Sequence, residues 1–108
     1  MDKTLFKAGQ VVLIDSPFTS SSGHKLRPAL IVNITRVDVI ILPITSNLNA
    51  DGVLITKKEG AAEDSIIKLN NIFTIYNSEI KHIFFELTKE KKREVYTELI
   101  KRFSSLIE

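Results

Sequence analysis

Two stretches of the 108-residue chain carry side chains suited to work on a phosphate ester. The first, residues 15–32, reads Asp15-Ser-Pro-Phe-Thr-Ser-Ser-Ser-Gly-His-Lys-Leu-Arg-Pro-Ala-Leu-Ile-Val. The second, residues 40–46, reads Ile40-Ile-Leu-Pro-Ile-Thr-Ser. Arg27 presents an always-charged guanidinium whose rigid fork of donors matches phosphate oxygens. Thr45 and Ser46 offer hydroxyls that can hydrogen-bond phosphate or sugar. His24 titrates near neutrality when unperturbed and can transfer a proton. Lys25 adds charge that attracts a polyanion. Residues 16–36 hold Lys25, Arg27, Arg36 and His24 and no acidic residue, a local positive footprint of the kind that draws phosphates.

Two prolines set how these groups are held. Pro28 fixes its own φ and biases Arg27 towards an extended backbone, placing the arginine at a strand entrance. Pro43 cannot donate to a sheet ladder, which predicts a sheet edge or a bulge. Both features put Arg27, Thr45 and Ser46 at the rim of a sheet. Around them, short apolar runs rich in Val, Ile and Leu predict strands at 11–14, 29–32, 37–42 and 53–56, then at 65–69, 72–76 and 83–87. Residues 33–36 separate the second and third strands at hairpin distance. Asn47, Asn49, Asp51 and Gly52 predict a turn, and the polar run 57–64 with Gly60 a loop.

The end of the chain changes period. Thr88 is a plausible N-cap, and Val95, Leu99, Phe103 and Leu106 fall on one stripe of a helix, with Lys92, Glu98 and Arg102 opposite. Lys89 to Arg93 is basic but reads as a solvated helix face. Several short strands followed by one amphipathic helix point to a mainly β protein, a small barrel with the helix against one end. The chain reads as one domain, 1–108, without repeats or linkers.

Composition excludes several classes. There is no cysteine, so disulfide staples, thiolate catalysis and Cys-based zinc sites are ruled out. No apolar run approaches about 18 residues, and the first nine residues lack the apolar stretch of a secretory signal, so a soluble cytoplasmic protein with no membrane contact is expected. The net charge of +2 is too small to argue for nucleic-acid binding by itself. A core this small gains from burial in a dimer.

Gly9 through Asp15, the Ser/Gly-rich loop, Arg27-Pro28-Ala29 and Pro43-Ile44-Thr45-Ser46 resemble the pattern of the PemK/MazF (Kid) toxin family. The likeness continues through Ser65-Ile-Ile-Lys-Leu-Asn-Asn-Ile and Thr74-Ile-Tyr-Asn-Ser to the closing helix, covering nearly the whole chain in order. The resemblance implies an SH3-like barrel that forms a homodimer and cleaves single-stranded RNA or mRNA without metal or cofactor. It also implies a cognate antitoxin as partner in a type II toxin–antitoxin system. The family arginine falls on Arg27 and the family threonine on Thr45, which are the expected catalytic residues. His24, Lys25, Ser46 and Ser22 are expected to contact RNA. One position departs from the pattern. The best-known branch has a Glu in the loop five residues before this arginine, where this chain has Ser22, and the general base is left open.

RNA supplies its own nucleophile, the ribose 2′-OH. The protein has to stabilise charge on phosphorus and move two protons, and Arg27 suits the first task. Two other readings of the same pattern remain. One is a member that binds RNA or antitoxin without cutting. The other is a gyrase poison of the same fold, which resembles a form with a C-terminal tryptophan that this chain lacks. Phe18 reads as a loop anchor, Ser65 and Lys68 as strand positions, and His82 as a residue with no partner visible in sequence.

Overall fold

The computed structural model describes residues 6–16 and 25–108. Among these lie seven strands: β1 (Gln10–Ser16), β2 (Lys25–Thr35), β3 (Asp38–Thr45), β4 (Gly52–Ile55), β5 (Ser65–Lys68), β6 (Phe73–Tyr76) and β7 (Ile80–Glu86). A single α-helix, α1 (Lys89–Phe103), follows. All seven strand runs expected from composition are present, with ends shifted by a few residues.

The middles of β1, β2 and β3 are unbroken apolar runs because both faces are covered there. Successive residues turn to opposite faces. Val11, Leu30, Leu42 and Ile44 therefore join one buried cluster with Val53, Ile55, Ile67, Leu69, Leu87 and Val95. Their neighbours Val12, Ile14, Ala29, Ile31, Val39 and Ile41 join a second with Ile75 and Ile80. The first face is roofed by β4, β5 and α1, the second by residues of β6 and β7.

The sheet is antiparallel with strand order β4-β5-β3-β2-β1-β7, and β6 pairs with β3. Among the described residues no ladder joins β7 to β6 or β4, so the mainly β class holds while the sheet stays open rather than closing into a barrel. β2 and β3 are joined by a two-residue turn, Arg36-Val37, with Thr35 opposite Asp38. Arg36 takes the left-handed conformation there, at φ 57.

Pro43 is neither on an edge strand nor in a bulge. β3 pairs with β6 from Asp38 to Ile41 and with β5 at Ile44 and Thr45. Pro43 lies where β3 changes partner, a place where a missing amide donor costs no rung.

Thr88 caps α1, its hydroxyl accepting from the Lys91 amide at 3.1 Å. Val95 is buried and Leu99 packs against the same cluster. The predicted stripe ends there: Phe103 is half-exposed and Leu106, beyond α1, is 87% exposed. Among the described residues nothing covers the apolar side chains at the end of the stripe, Ile100 and Phe103 each being 50% exposed. Arg102 ties the last turn of α1 to the 47–52 loop through a 2.8 Å bond to Asp51. Among the described residues no helix is long and apolar enough to cross a membrane.

Candidate active site

β2 and β3 run as a regular ladder through Ile31↔Ile41, Leu30↔Leu42 and Ala29↔Pro43, and the ladder ends there. Each proline removes an amide donor: Pro43 forms the last rung with Ala29, and Pro28 stands just beyond it. Beyond it the strands part. β2 stays with β1, pairing Arg27 with Ile14, while β3 turns to β5, pairing Thr45 with Ile66. Arg27 and Thr45 each stand two residues past the final rung, one on each prong of a fork. Both line a single cleft of about 480 Å³, together with Pro28 and Ser46. Arg27, Thr45 and Ser46, expected at the rim of a sheet, all line this cleft.

Thr45 has a structural duty as well. Its Oγ1 accepts a 3.1 Å hydrogen bond from the Asn47 amide, a local turn contact of the sort hydroxyls make after strands. The acceptor side of the hydroxyl is engaged and its proton remains available as a donor. Asn47 continues the turn, its Oδ1 accepting from the Asn49 amide at 3.0 Å. None of the ion pairs among the described residues uses Arg27. Lys25 heads β2 opposite Ser16, exposed, and is not among the residues that line the cleft. His24 and Ser22 lie outside the described residues.

The facing wall is the 56–65 loop, which contributes Gly60, Ala61, Ala62, Glu63 and Ser65. This loop is firmly built. Thr56 and Glu59 form a capping box around a single 3-10 turn, with the Thr56 amide donating to Glu59 at 2.8 Å. Asp64 accepts from the Lys57 amide at 3.0 Å, and the Ser65 hydroxyl donates to the Glu63 carbonyl at 2.8 Å. From α1, Lys91 donates to the Leu54 carbonyl at 2.9 Å and sits 3.4 Å from the Glu59 carboxylate. Burial alone would raise the Glu59 pKa. The Thr56 hydrogen bonds and the Lys91 charge outweigh it and hold the carboxyl below its ordinary value.

The third side comes from β7, where Phe84 and Phe85 both line the cleft. Gly60 packs flat on the Phe85 ring: a Cβ there would lie 2.8 Å from its carbons, and its φ of 120 favours glycine independently.

Sequence reasoning missed Glu63, Phe84 and Phe85. Among the described lining residues Glu63 is the sole carboxylate, and it takes no part in the ion pairs described. It sits in a polar loop that offers no periodicity, so only the fold reveals where it points. The phenylalanines did leave a signal, since Ile83-Phe84-Phe85 lacks the alternation of a strand with one wet face. His82, without a partner in sequence, stacks edge-on against Phe84, with ring centroids 5.1 Å apart and planes at 72°. Among the described residues, no three His, Cys, Asp or Glu side chains come together as a metal-holding group.

Among the described residues the cleft therefore joins a guanidinium outside the ion pairs, three hydroxyls (Thr45, Ser46 and Ser65), one carboxylate and an aromatic wall. The family described as PemK-like, MazF-like toxin of type II toxin-antitoxin system matches residues 7–103. The chain belongs to the PemK/MazF toxin family. Solved structures agree on the fold of this PemK/MazF member. It is similar to Mycobacterium tuberculosis toxin MazF-mt6, with a TM-score of 0.70 and 18% identity over 86% of this chain and 93% of that one. It is also similar to an endoribonuclease in complex with its cognate antitoxin from Mycobacterial species. That likeness has a TM-score of 0.66 and 20% identity over 86% of this chain and 87% of that one. No curated protein sequence matches the chain.

Proposed function

We propose that this chain is the toxin of a type II toxin–antitoxin pair and acts as an endoribonuclease on single-stranded RNA. The observation that carries the reading is the fork: Arg27 and Thr45, held by different ladders, line one cleft in a member of the PemK/MazF family.

The reaction uses the substrate's own nucleophile. The 2′-OH loses its proton to a base, its oxygen bonds to phosphorus, the P–O5′ bond breaks, and the departing oxygen takes up a proton from solvent water, to which the base returns its own. The products are a cyclic phosphate and a 5′-OH, and no metal is needed for any of these steps. Arg27 neutralises charge on the non-bridging oxygens. Thr45 donates its hydroxyl proton to phosphate or sugar and, with Ser46, holds the reacting atoms in line. Glu63, the carboxylate on the opposite wall, receives the 2′-OH proton, filling the role left open by Ser22. His24 and Lys25 contribute RNA contacts.

The partner is a cognate antitoxin, a reading supported by the family and by the antitoxin complex of the mycobacterial relative. A homodimer of single-domain chains acting in the cytoplasm completes it. Exposed Tyr96, Ile100 and Phe103 on α1 support self-association.

The test is incubation of the purified protein with a long unstructured RNA in EDTA. Cleavage that is lost in Arg27→Ala is the expected result. Intact RNA together with blocked supercoiling by gyrase would replace the nuclease with a poison, and intact RNA still bound by the protein would mark a binding-only member.

A further inference from the structure

The register between β1 and β7 contains an irregularity at the cleft. Val11 and Val12 are consecutive on β1, yet they pair with Phe85 and Ile83, so Phe84 is an extra residue with no rung of its own. In a regular strand Phe84 and Phe85 would turn to opposite faces. The bulge suspends that alternation, and both rings line the same cleft. Their situations differ. Phe85 is fixed under Gly60. Phe84 is 47% exposed, its orientation supported by His82, and Leu26, 56% exposed, lines the same cleft from β2. A ring held in place with an open surface, at the same cleft as the Arg27 guanidinium, is what a nucleotide requires: a flat apolar surface for the base and a cation for its phosphate.

We infer that Phe84 is the stacking platform of a nucleobase subsite, so that one unpaired nucleotide bridges the cleft with its base on Phe84 and its phosphate at Arg27. The inference rests on the reading of this cleft as an RNA site. Stacking on a phenyl face is tolerant of base identity, so Phe84 supplies affinity and positioning. An apolar side chain of a protein partner is the competing occupant; Arg27 at the same cleft favours an anionic, aromatic ligand over it.

The test uses single-stranded 2′-O-methyl RNA of mixed sequence, which cannot be cut, with one 2-aminopurine walked along it. Binding by the unaltered protein quenches the fluorescence at one position. Phe84→Leu keeps the apolar bulk but loses the ring, and it relieves that quench and weakens binding about 5- to 100-fold. Phe84→Trp keeps the quench and the affinity. Because Phe84 is half-exposed, both variants are expected to fold, which circular dichroism checks. If Phe84→Leu binds and quenches like the unaltered protein while Arg27→Ala releases the RNA, the stacking subsite is overturned and the nuclease reading stands. If the unaltered protein fails to bind the probe at all, both fall together. Binding of a protein partner that is lost in Phe84→Leu, with RNA affinity unchanged, assigns the surface to that partner and overturns the base subsite.

Discussion

Lys91, on the first turn of α1, lies 3.4 Å from the carboxylate of Glu59, in the loop that walls the cleft. The same ammonium donates to the Leu54 carbonyl and to Glu94 at 3.1 Å, and its side chain is only 16% exposed. One cation therefore pins the helix, the end of β4 and the cleft wall together. Lys91→Met should lower stability by about 1–2 kcal/mol, since it strands a shielded carbonyl and a carboxylate. Urea denaturation measures this. A double-mutant cycle with Glu59→Gln should show coupling, because the two side chains share a network.

Stability should fall in acid. Glu59 is held below its ordinary 4.5 by the hydrogen bonds and charge that outweigh its burial. Glu86 is lowered first by its hydrogen bonds from Lys92 and Lys7, and Glu98 by that from Lys101. A carboxylate with a depressed native pKa contributes stability that is present above the unfolded value and lost as pH drops through the native one. The melting temperature should thus be flat from neutral pH down to about 5 and decline below 4.5. Glu59→Gln should flatten the acid limb. An unchanged limb in that variant would remove Glu59 from the explanation.

Arg27→Ala should reduce RNA cleavage by about 100-fold or more, as expected for loss of a charge-stabilising donor. Arg27→Lys should restore less than half of the lost activation energy, because an ammonium lacks the planar fork. Initial rates on a fluorescent RNA report both. RNA affinity should also fall steeply with added salt, and a response unaffected by Arg27→Ala would take that side chain off the phosphates.

Glu63→Gln should lower kcat by about 10²- to 10⁴-fold while leaving RNA affinity intact or tighter, since the change removes a base and a negative charge. The more specific readout separates kcat from KM: kcat should fall with KM unchanged or lower. Should kcat persist, the proton goes elsewhere, with His24 the next group to substitute.

Gly60→Ala should cost about 1–3 kcal/mol, because it adds left-handed strain and a Cβ against the Phe85 ring. Thermal melts measure the loss, and activity should fall in the folded fraction as well, since the wall is displaced outwards.

Much of this is legible in the amino-acid sequence. Arg27-Pro28 and Pro43-x-Thr45-Ser46 place their functional groups through local backbone rules, which sequence displays directly. Thr88 and Val95 likewise announce a capped amphipathic helix. What escaped depends on distant parts of the chain. Glu63 reaches the cleft because Glu59, Asp64 and Lys91 shape its loop, and no local pattern encodes that. Phe84 enters through a bulge set by pairing with Val11 and Val12 of β1, far away in the sequence. The outer half of the helical stripe misled for a related reason: periodicity reveals which side of a helix is apolar but not how far the sheet beneath it extends.

The fork between β2 and β3 has a mechanical consequence. Arg27 belongs to the ladder shared with β1 and Thr45 to the one shared with β5, and the nearest tie between them is the last β2–β3 rung, Ala29 with Pro43. The gap between guanidinium and hydroxyl is thus governed by the splay of two ribbons at a common hinge. Changes to buried residues at that hinge, such as Leu42 or Ile44, would retune the grip on a phosphodiester without altering any group that touches it.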